Sequence, residues 1–311
     1  MGARRHLYGD YQDPQDYEVR WRDLVSRLGG SEQVAGHSVE GRPLWRFDLG
    51  SRDPRAPVVL LTALMHGVEL IGSVALRDVI ERVGRERGFL HEQAHLVVLP
   101  VVNPDAFAAN MERLGRGRLA FQRKNAAGVD LNRNFPPLTP RKLWSWHPCS
   151  GSALRVSPYY RGPHPFSEPE TQVLRDVVAS APPALSLGFH SFGNSLLFPW
   201  GHTRSRNPHH DAYRKLADAF TRTLPVTKYR TLQAIDLYPT IGDLDDWLDS
   251  EHGTAAFTVE ASGLDDRLLH PLRFVNPFCW MNPTLIEPTV ANLSPGVLAL
   301  MSAALLASGL G

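Results

Sequence analysis

The sequence predicts an α/β protein built on a largely parallel sheet. Three observations lead there. Four short runs, residues 58–64, 96–102, 185–189 and 255–259, are almost wholly apolar, as strands covered on both faces are. Stretches with apolar residues at helical spacing lie between and after them. At 43% hydrophobic and 21% charged over 311 residues, the chain has a globular composition and enough apolar material for a large core. With neither an internal repeat nor a low-complexity linker to divide it, residues 1–311 are expected to form one domain.

The elements follow in order. Residues 36–43, bounded by Gly and Pro, read as a turn, and 58–64 as the first buried strand. Residues 70–83 read as a helix and 96–102 as a strand. The long segment 103–165, rich in Gly, Pro, Arg and Asn, reads as a functional loop without regular structure. Ser167 followed by Glu170 predicts a capping box opening a helix over 168–180. Strand 185–189, helix 211–224 and strand 255–259 complete the alternation. The apolar stretch 297–310 is 14 residues long and predicts a helix packed on the core, short of the roughly 20 residues that span a bilayer.

Charge and cysteine content narrow the function. Thirty-three Lys and Arg stand against 32 Asp and Glu, a net charge of +1, so no global field draws nucleic acid or an acidic membrane. A small partner is expected. Two cysteines, Cys149 and Cys279, make neither a disulfide scaffold nor a sulfur-based zinc site. No secretory or twin-arginine leader precedes residue 16, and a cytoplasmic location is expected.

The informative pattern is where the apolar strands stop. The first runs out into Met65-His66-Gly67-Val68-Glu69, another into His190 and the last into Glu260. Ligands of open α/β sheets sit at the carboxyl ends of the strands, so these groups would face one cleft. Two histidines and a carboxylate make the ligand set of a catalytic zinc that keeps an open position. His-x-x-Glu alone is weak, and His37-Ser38-Val39-Glu40 repeats it, but that copy lies in a turn rather than after a buried strand. Gly67 lets the chain turn at the strand end and places Glu69 in the first helical turn, facing the same point. Glu260 is then the candidate for the proton transfers that hydrolysis needs.

At these residues the chain resembles the zinc metallocarboxypeptidase family. The family's zinc pattern fits His66, Glu69 and His190. Phe121-Gln122-Arg123-Lys124 is similar to the segment whose arginine stabilises the oxyanion, which implies that role for Arg123. Gly128-Val129-Asp130-Leu131-Asn132-Arg133-Asn134-Phe135 is similar to the stretch that clamps a substrate's terminal carboxylate, implying Asn132 and Arg133. Tyr238, 22 residues before Glu260, matches the tyrosine that closes over substrate. Pro165 to Thr171, Asn103-Pro104-Asp105 and Asp246-Trp247 also fit, and together these motifs cover about residues 36–263. The resemblance implies an α/β/α sandwich around a mixed, mostly eight-stranded sheet, with one zinc ion per chain. The chemistry agrees, since a guanidinium matches a carboxylate with two parallel hydrogen bonds and keeps its charge.

Two departures bear on substrate. Val68 stands where the animal digestive enzymes of the family carry an arginine that contacts the substrate upstream of the cut. The early-strand motif begins almost at once, so control by a propeptide is not expected. Asp245, seven residues after Tyr238, falls at the base of the family's side-chain pocket, where an acid accompanies preference for Lys or Arg. Asp243, Asp245 and Asp246 equally suit the first turn of a helix.

The sequence therefore predicts a zinc exopeptidase cutting the last bond of peptides or related amino-acid-derived substrates, without nucleic acid or membrane partners. Cell-wall-peptide amidases that release diaminopimelate resemble the chain through Gly128 to Phe135, and N-acyl amino-acid deacylases resemble it through His66-Gly67-Val68-Glu69-Leu70; both share the chemistry. A non-catalytic binding protein on the same fold is the alternative of another class.

Overall fold

The computed structural model describes residues 11–307 apart from 12, 87, 137–146, 148 and 265–268. The expectations for residues 1–10 and for the last residues of the C-terminal stretch lie outside these.

Helix α1 (Pro14–Arg27) starts where the Asp13 carboxylate accepts from the backbone N–H groups of Gln15 and Asp16. Its Tyr17, Trp21, Leu24 and Val25 are buried at helical spacing. Strands β1 (Ser31–His37), β2 (Pro43–Gly50) and β3 (Val58–Ala63) follow, then α2 (Leu70–Glu86), α3 (Phe89–Gln93), β4 (His95–Leu99) and α4 (Pro104–Gly115). After a long connection come α5 (Pro169–Ser180), β5 (Pro183–His190), β6 (Ser195–Phe198), α6 (His210–Arg222), β7 (Arg230–Gln233), α7 (Leu244–His252) and β8 (Ala255–Glu260). Two one-turn helices, α8 (Pro271–Phe274) and α9 (Phe278–Met281), lead to α10 (Ile286–Ala307).

Among the described residues, eight strands form one mixed sheet in the order β1-β2-β4-β3-β5-β8-β6-β7. The four runs expected to be buried strands are its centre, β4, β3, β5 and β8, and all three of their pairings are parallel. Antiparallel pairings at β1, β2 and β6 make the sheet mixed. Apolar side chains of α1, α2, α6 and α10 bury one face, and those of α5 and α7 the other, giving three layers.

Several local expectations are corrected. The segment 103–165 contains α4, opened by Pro104 behind the side-chain cap of Asn103. Glu69 lies one residue before α2, in a turn where its N–H bonds the His66 carbonyl, rather than in the first helical turn. The capping box does not form. Helix α5 begins at Pro169, while Ser167 bonds Asn134 and Glu168, and Glu170 is drawn to the N–H of Val39 and to Asn125. Strands β1, β2, β6 and β7 were not legible, being partly exposed or four residues long.

The C-terminal helix α10 runs 22 residues and is long and apolar enough, by length and composition, to cross a membrane. Its Val290, Leu293, Val297, Leu300, Met301 and Leu305 are instead buried in the core. Gly296 brings it close to α6, where a Cβ would stand 2.8 Å from Leu224 Cδ2 and 2.9 Å from Phe220 Cδ2. The helix starts 11 residues before the apolar stretch expected from 297, with Pro295 accommodated inside it.

Candidate active site

Strand polarity and register assemble the site. Along β5, Leu185, Leu187 and Phe189 face the α2 side, so His190 points to the opposite face with Ser186 and Gly188. Glu260 is the register partner of His190 on β8 and emerges on the same face. His66 follows β3, the strand on the other side of β5. Gly67 makes the turn possible because a Cβ there would lie 2.4 Å from the Ala106 Cβ and 2.7 Å from the Phe107 nitrogen.

The three expected metal ligands come together. Nδ1 of His66 is 2.9 Å from Glu69 Oε1 and 3.1 Å from Nδ1 of His190, which is 2.9 Å from Glu69 Oε2. All three residues are buried, and one donor atom from each lies within 4.8 Å of the others. A tetrahedral site with bonds of about 2.0 Å to nitrogen has edges of roughly 3.3 Å, so the donor set and its spacing fit zinc. Burial alone would push the Glu69 carboxyl up, but His66 and His190 outweigh it and hold it well below the usual carboxylate range.

Asp130 was missed as a functional residue. It accepts from Nε2 of His66 at 3.1 Å, leaving the other ring nitrogen, Nδ1, for the site. Burial opposes its charge, yet Arg123 and His66 hold it strongly acidic. Its signal lay inside the segment 128–135, since ligating histidines usually bond a carboxylate through their second nitrogen.

Glu260 stands in a different environment. Its Oε2 is buried and has no hydrogen-bond partner. Burial pushes its carboxyl up to about 8, Glu69 adds to the rise, and His190 and Arg123 oppose it. A carboxylate with one buried, unpartnered oxygen beside the His-Glu-His cluster is a candidate for proton transfer.

The polar residues of the long connection line the same centre. Arg123 reaches Asp130 through Nε at 3.1 Å and Glu69 at 3.3 Å. Burial disfavours its charge, but Asp130 and Glu69 raise its pKa further, so it is a permanent cation. Arg133, only 2% exposed, gives one N–H from each of its three nitrogens to the carbonyls of Cys149 and Asn132. Two of a guanidinium's five N–H groups remain for a ligand. The carbonyl oxygen of the Asn132 side chain accepts from the N–H of Leu244, which turns its amide NH2 the other way. Tyr238 lies flat against His147 at 6.5 Å between ring centroids. Burial raises its pKa, and its hydroxyl feels the charges of Arg133, Arg123, Glu260 and Glu69.

Asp245 is at the first turn of α7, but its neighbour does the capping, for Asp243 accepts from the N–H of Asp246. The Asp245 carboxylate instead accepts from Thr258, two residues before Glu260 on the same face of β8. Thr258 was not singled out in the sequence. The second His-x-x-Glu copy stays apart, with His37 ending β1 and the Glu40 N–H bonding Asp105. Cys149 and Cys279 are not joined in a disulfide.

The sequence model of the zinc carboxypeptidase family matches residues 31–284. The chain belongs to the zinc carboxypeptidase family. It is 29% identical over 304 residues to mast cell carboxypeptidase A of Mus musculus, covering 89% of this chain and 69% of that protein. It is 28% identical over 272 residues to carboxypeptidase B of Astacus astacus, covering 81% and 87%. Among solved structures, carboxypeptidase A from Helicoverpa armigera superposes with a TM-score of 0.78 at 22% identity, over 96% of this chain and 74% of that one. The murein-tripeptide amidase of Escherichia coli O157 shares the fold with a TM-score of 0.53 at 22% identity, over 88% and 91%. Membership makes the chain a metallocarboxypeptidase.

Proposed function

We propose that this metallocarboxypeptidase removes the last residue of peptides at a single zinc ion held by His66, Glu69 and His190, with Glu260 as the general base and acid. The observation that carries the reading is the meeting of these three ligands with an unpartnered buried carboxylate at the ends of adjacent parallel strands. When bound, zinc supplies Lewis-acid charge and lowers the pKa of a water molecule. Glu260 takes the proton of the attacking water and returns it to the leaving amine. Arg123 stabilises the oxyanion of the scissile carbonyl. Arg133 offers its two remaining N–H groups, Asn132 its amide and Tyr238 its hydroxyl to the terminal carboxylate. Asp130 keeps His66 in the ligating tautomer.

Preference for a basic terminal residue is part of the proposal. It is supported by Asp245, whose carboxylate is released from capping duty by Asp243 and sits beneath Glu260 through Thr258. A cytoplasmic location is also proposed, supported by two cysteines that form no disulfide, and is tested by cell fractionation. The deciding experiment is metal analysis of the purified protein with hydrolysis of dipeptides ending in Arg, Lys, Phe or diaminopimelate, and of acyl amino acids. Glu260→Gln should keep stoichiometric zinc and lose about 10²- to 10⁴-fold in kcat. A metal-loaded protein inert on the whole panel would overturn the reading.

A further inference from the structure

The two arginines of the site share a ring that the sequence reading did not use. The Cζ of Arg123 lies 5.4 Å from the centroid of Tyr159, and the Cζ of Arg133 lies 5.8 Å from the same centroid. Both distances fall within the range at which a guanidinium is attracted to the quadrupole of an aromatic ring. Two permanent cations would otherwise be held near each other by separate partners, Arg123 by Asp130 and Glu69 and Arg133 by backbone carbonyls. Asp130 links the two only through the backbone of the turn that carries Arg133, whose N–H bonds the Asp130 carbonyl, and no hydrogen bond ties the two guanidinium groups to each other.

The turn that carries Tyr159 is fixed from several sides. Its N–H bonds Ser157 Oγ, and its carbonyl accepts from the N–H of Ser152. Lys124 Nζ, next to Arg123, donates to the Ser157 carbonyl, and the N–H of Asp130 bonds the carbonyl of Tyr160. Tyr159 is only half-buried, so no packing need of the core explains the large ring. Its hydroxyl lies near the thiol of Cys149, whose carbonyl receives Arg133.

We propose that Tyr159 is a positioning residue that sets the spacing of Arg123 and Arg133, so that oxyanion and terminal carboxylate of one peptide are reached together. The proposal rests on the roles assigned above to these arginines. Because the ring face supplies the attraction, phenylalanine should serve and an aliphatic side chain of similar bulk should not.

The test uses the zinc-loaded full chain and substrates ending in a free carboxylate, with rates normalised to bound zinc. Tyr159→Phe should stay within about twofold of the parent in kcat and KM, whereas Tyr159→Leu should lose about tenfold in kcat/KM, shared between a higher KM and a lower kcat. Replacing Tyr159 by phenylalanines of increasing fluorination weakens the quadrupole without changing shape. It should lower kcat/KM stepwise even if the leucine variant folds poorly. A purely structural ring would leave KM and kcat per zinc unchanged and give a flat fluorination series, and either result overturns the proposal. Arg123→Ala and Arg133→Ala run alongside. Full activity in both would remove the roles on which the proposal depends, while impaired arginine variants beside an unaffected Tyr159→Leu would reject Tyr159 alone.

Discussion

His190 and Glu260 are register partners on adjacent parallel strands, β5 and β8, so one strand end delivers a member of the His-Glu-His cluster and its neighbour delivers the unpartnered carboxylate. Pairing in a sheet fixes this spacing through backbone hydrogen bonds rather than through contacts between the two side chains. The Glu260 carboxylate can therefore remain unpaired without drifting.

That isolation has a proton consequence. With a pKa pushed up to about 8 in the metal-free site, mainly by burial and then by Glu69, Glu260 is mostly protonated at pH 7. A dication nearby favours the charged carboxylate and expels the proton. Zinc titration of the apo protein at pH 7, followed with a pH indicator, should release more protons from the parent than from Glu260→Gln. Equal release from both would show that Glu260 does not sense the metal.

Asp130→Asn should weaken zinc binding about 10- to 100-fold while leaving the fold intact, because His66 loses the carboxylate that fixes its tautomer. Competition with a chelator of known affinity measures the change. Unaltered zinc affinity would assign Asp130 to Arg123 alone.

Arg133→Lys should raise KM for peptides by about tenfold or more with a smaller effect on kcat, since an ammonium cannot keep both the Cys149 carbonyl and a two-point grip on a carboxylate. Initial-rate kinetics separate the two constants. A lowered kcat at unchanged KM would place Arg133 on the reacting bond instead.

Asp245 gives a pH signature. Burial, then repulsion from Asp243, Asp246 and Asp249, holds its carboxyl well above the ordinary range, with the Thr258 hydrogen bond opposing the rise. Only the deprotonated form attracts a cationic side chain. The ratio of kcat/KM for Arg-ended over Phe-ended peptides should therefore climb with pH in the parent and stay flat in Asp245→Asn. A parent ratio independent of pH and of this substitution would remove Asp245 from the pocket.

Gly67→Ala should cost both stability and metal. A Cβ at that position would meet the backbone of Ala106 and Phe107 at 2.6 and 2.7 Å, and backbone cannot swing aside as a side chain can. The turn carrying His66 and Glu69 would have to shift. Thermal melts with and without zinc should show a lower Tm and a smaller zinc-induced rise, and a melt identical to the parent's would contradict the crowding.

Residue order alone indicated the central strands, the candidate ligands His66, Glu69 and His190 and the candidate Glu260, while Arg123, Asn132, Arg133, Tyr238 and Asp245 were indicated by the motifs that resemble the family. Apolar runs buried on both faces are continuous in sequence, and the groups that end them are legible as interruptions. Tertiary structure decided what depends on partners distant along the chain. It paired Asp130 with His66, and Tyr159 with two arginines. It drew Glu170 from the expected capping box to Val39 and Asn125, and it set Asp245, in the first turn of α7 as expected, against Thr258. A short polar side chain has several local partners of nearly equal energy, and the choice among them falls to whichever long-range donor or acceptor the packed layers bring within about 3 Å.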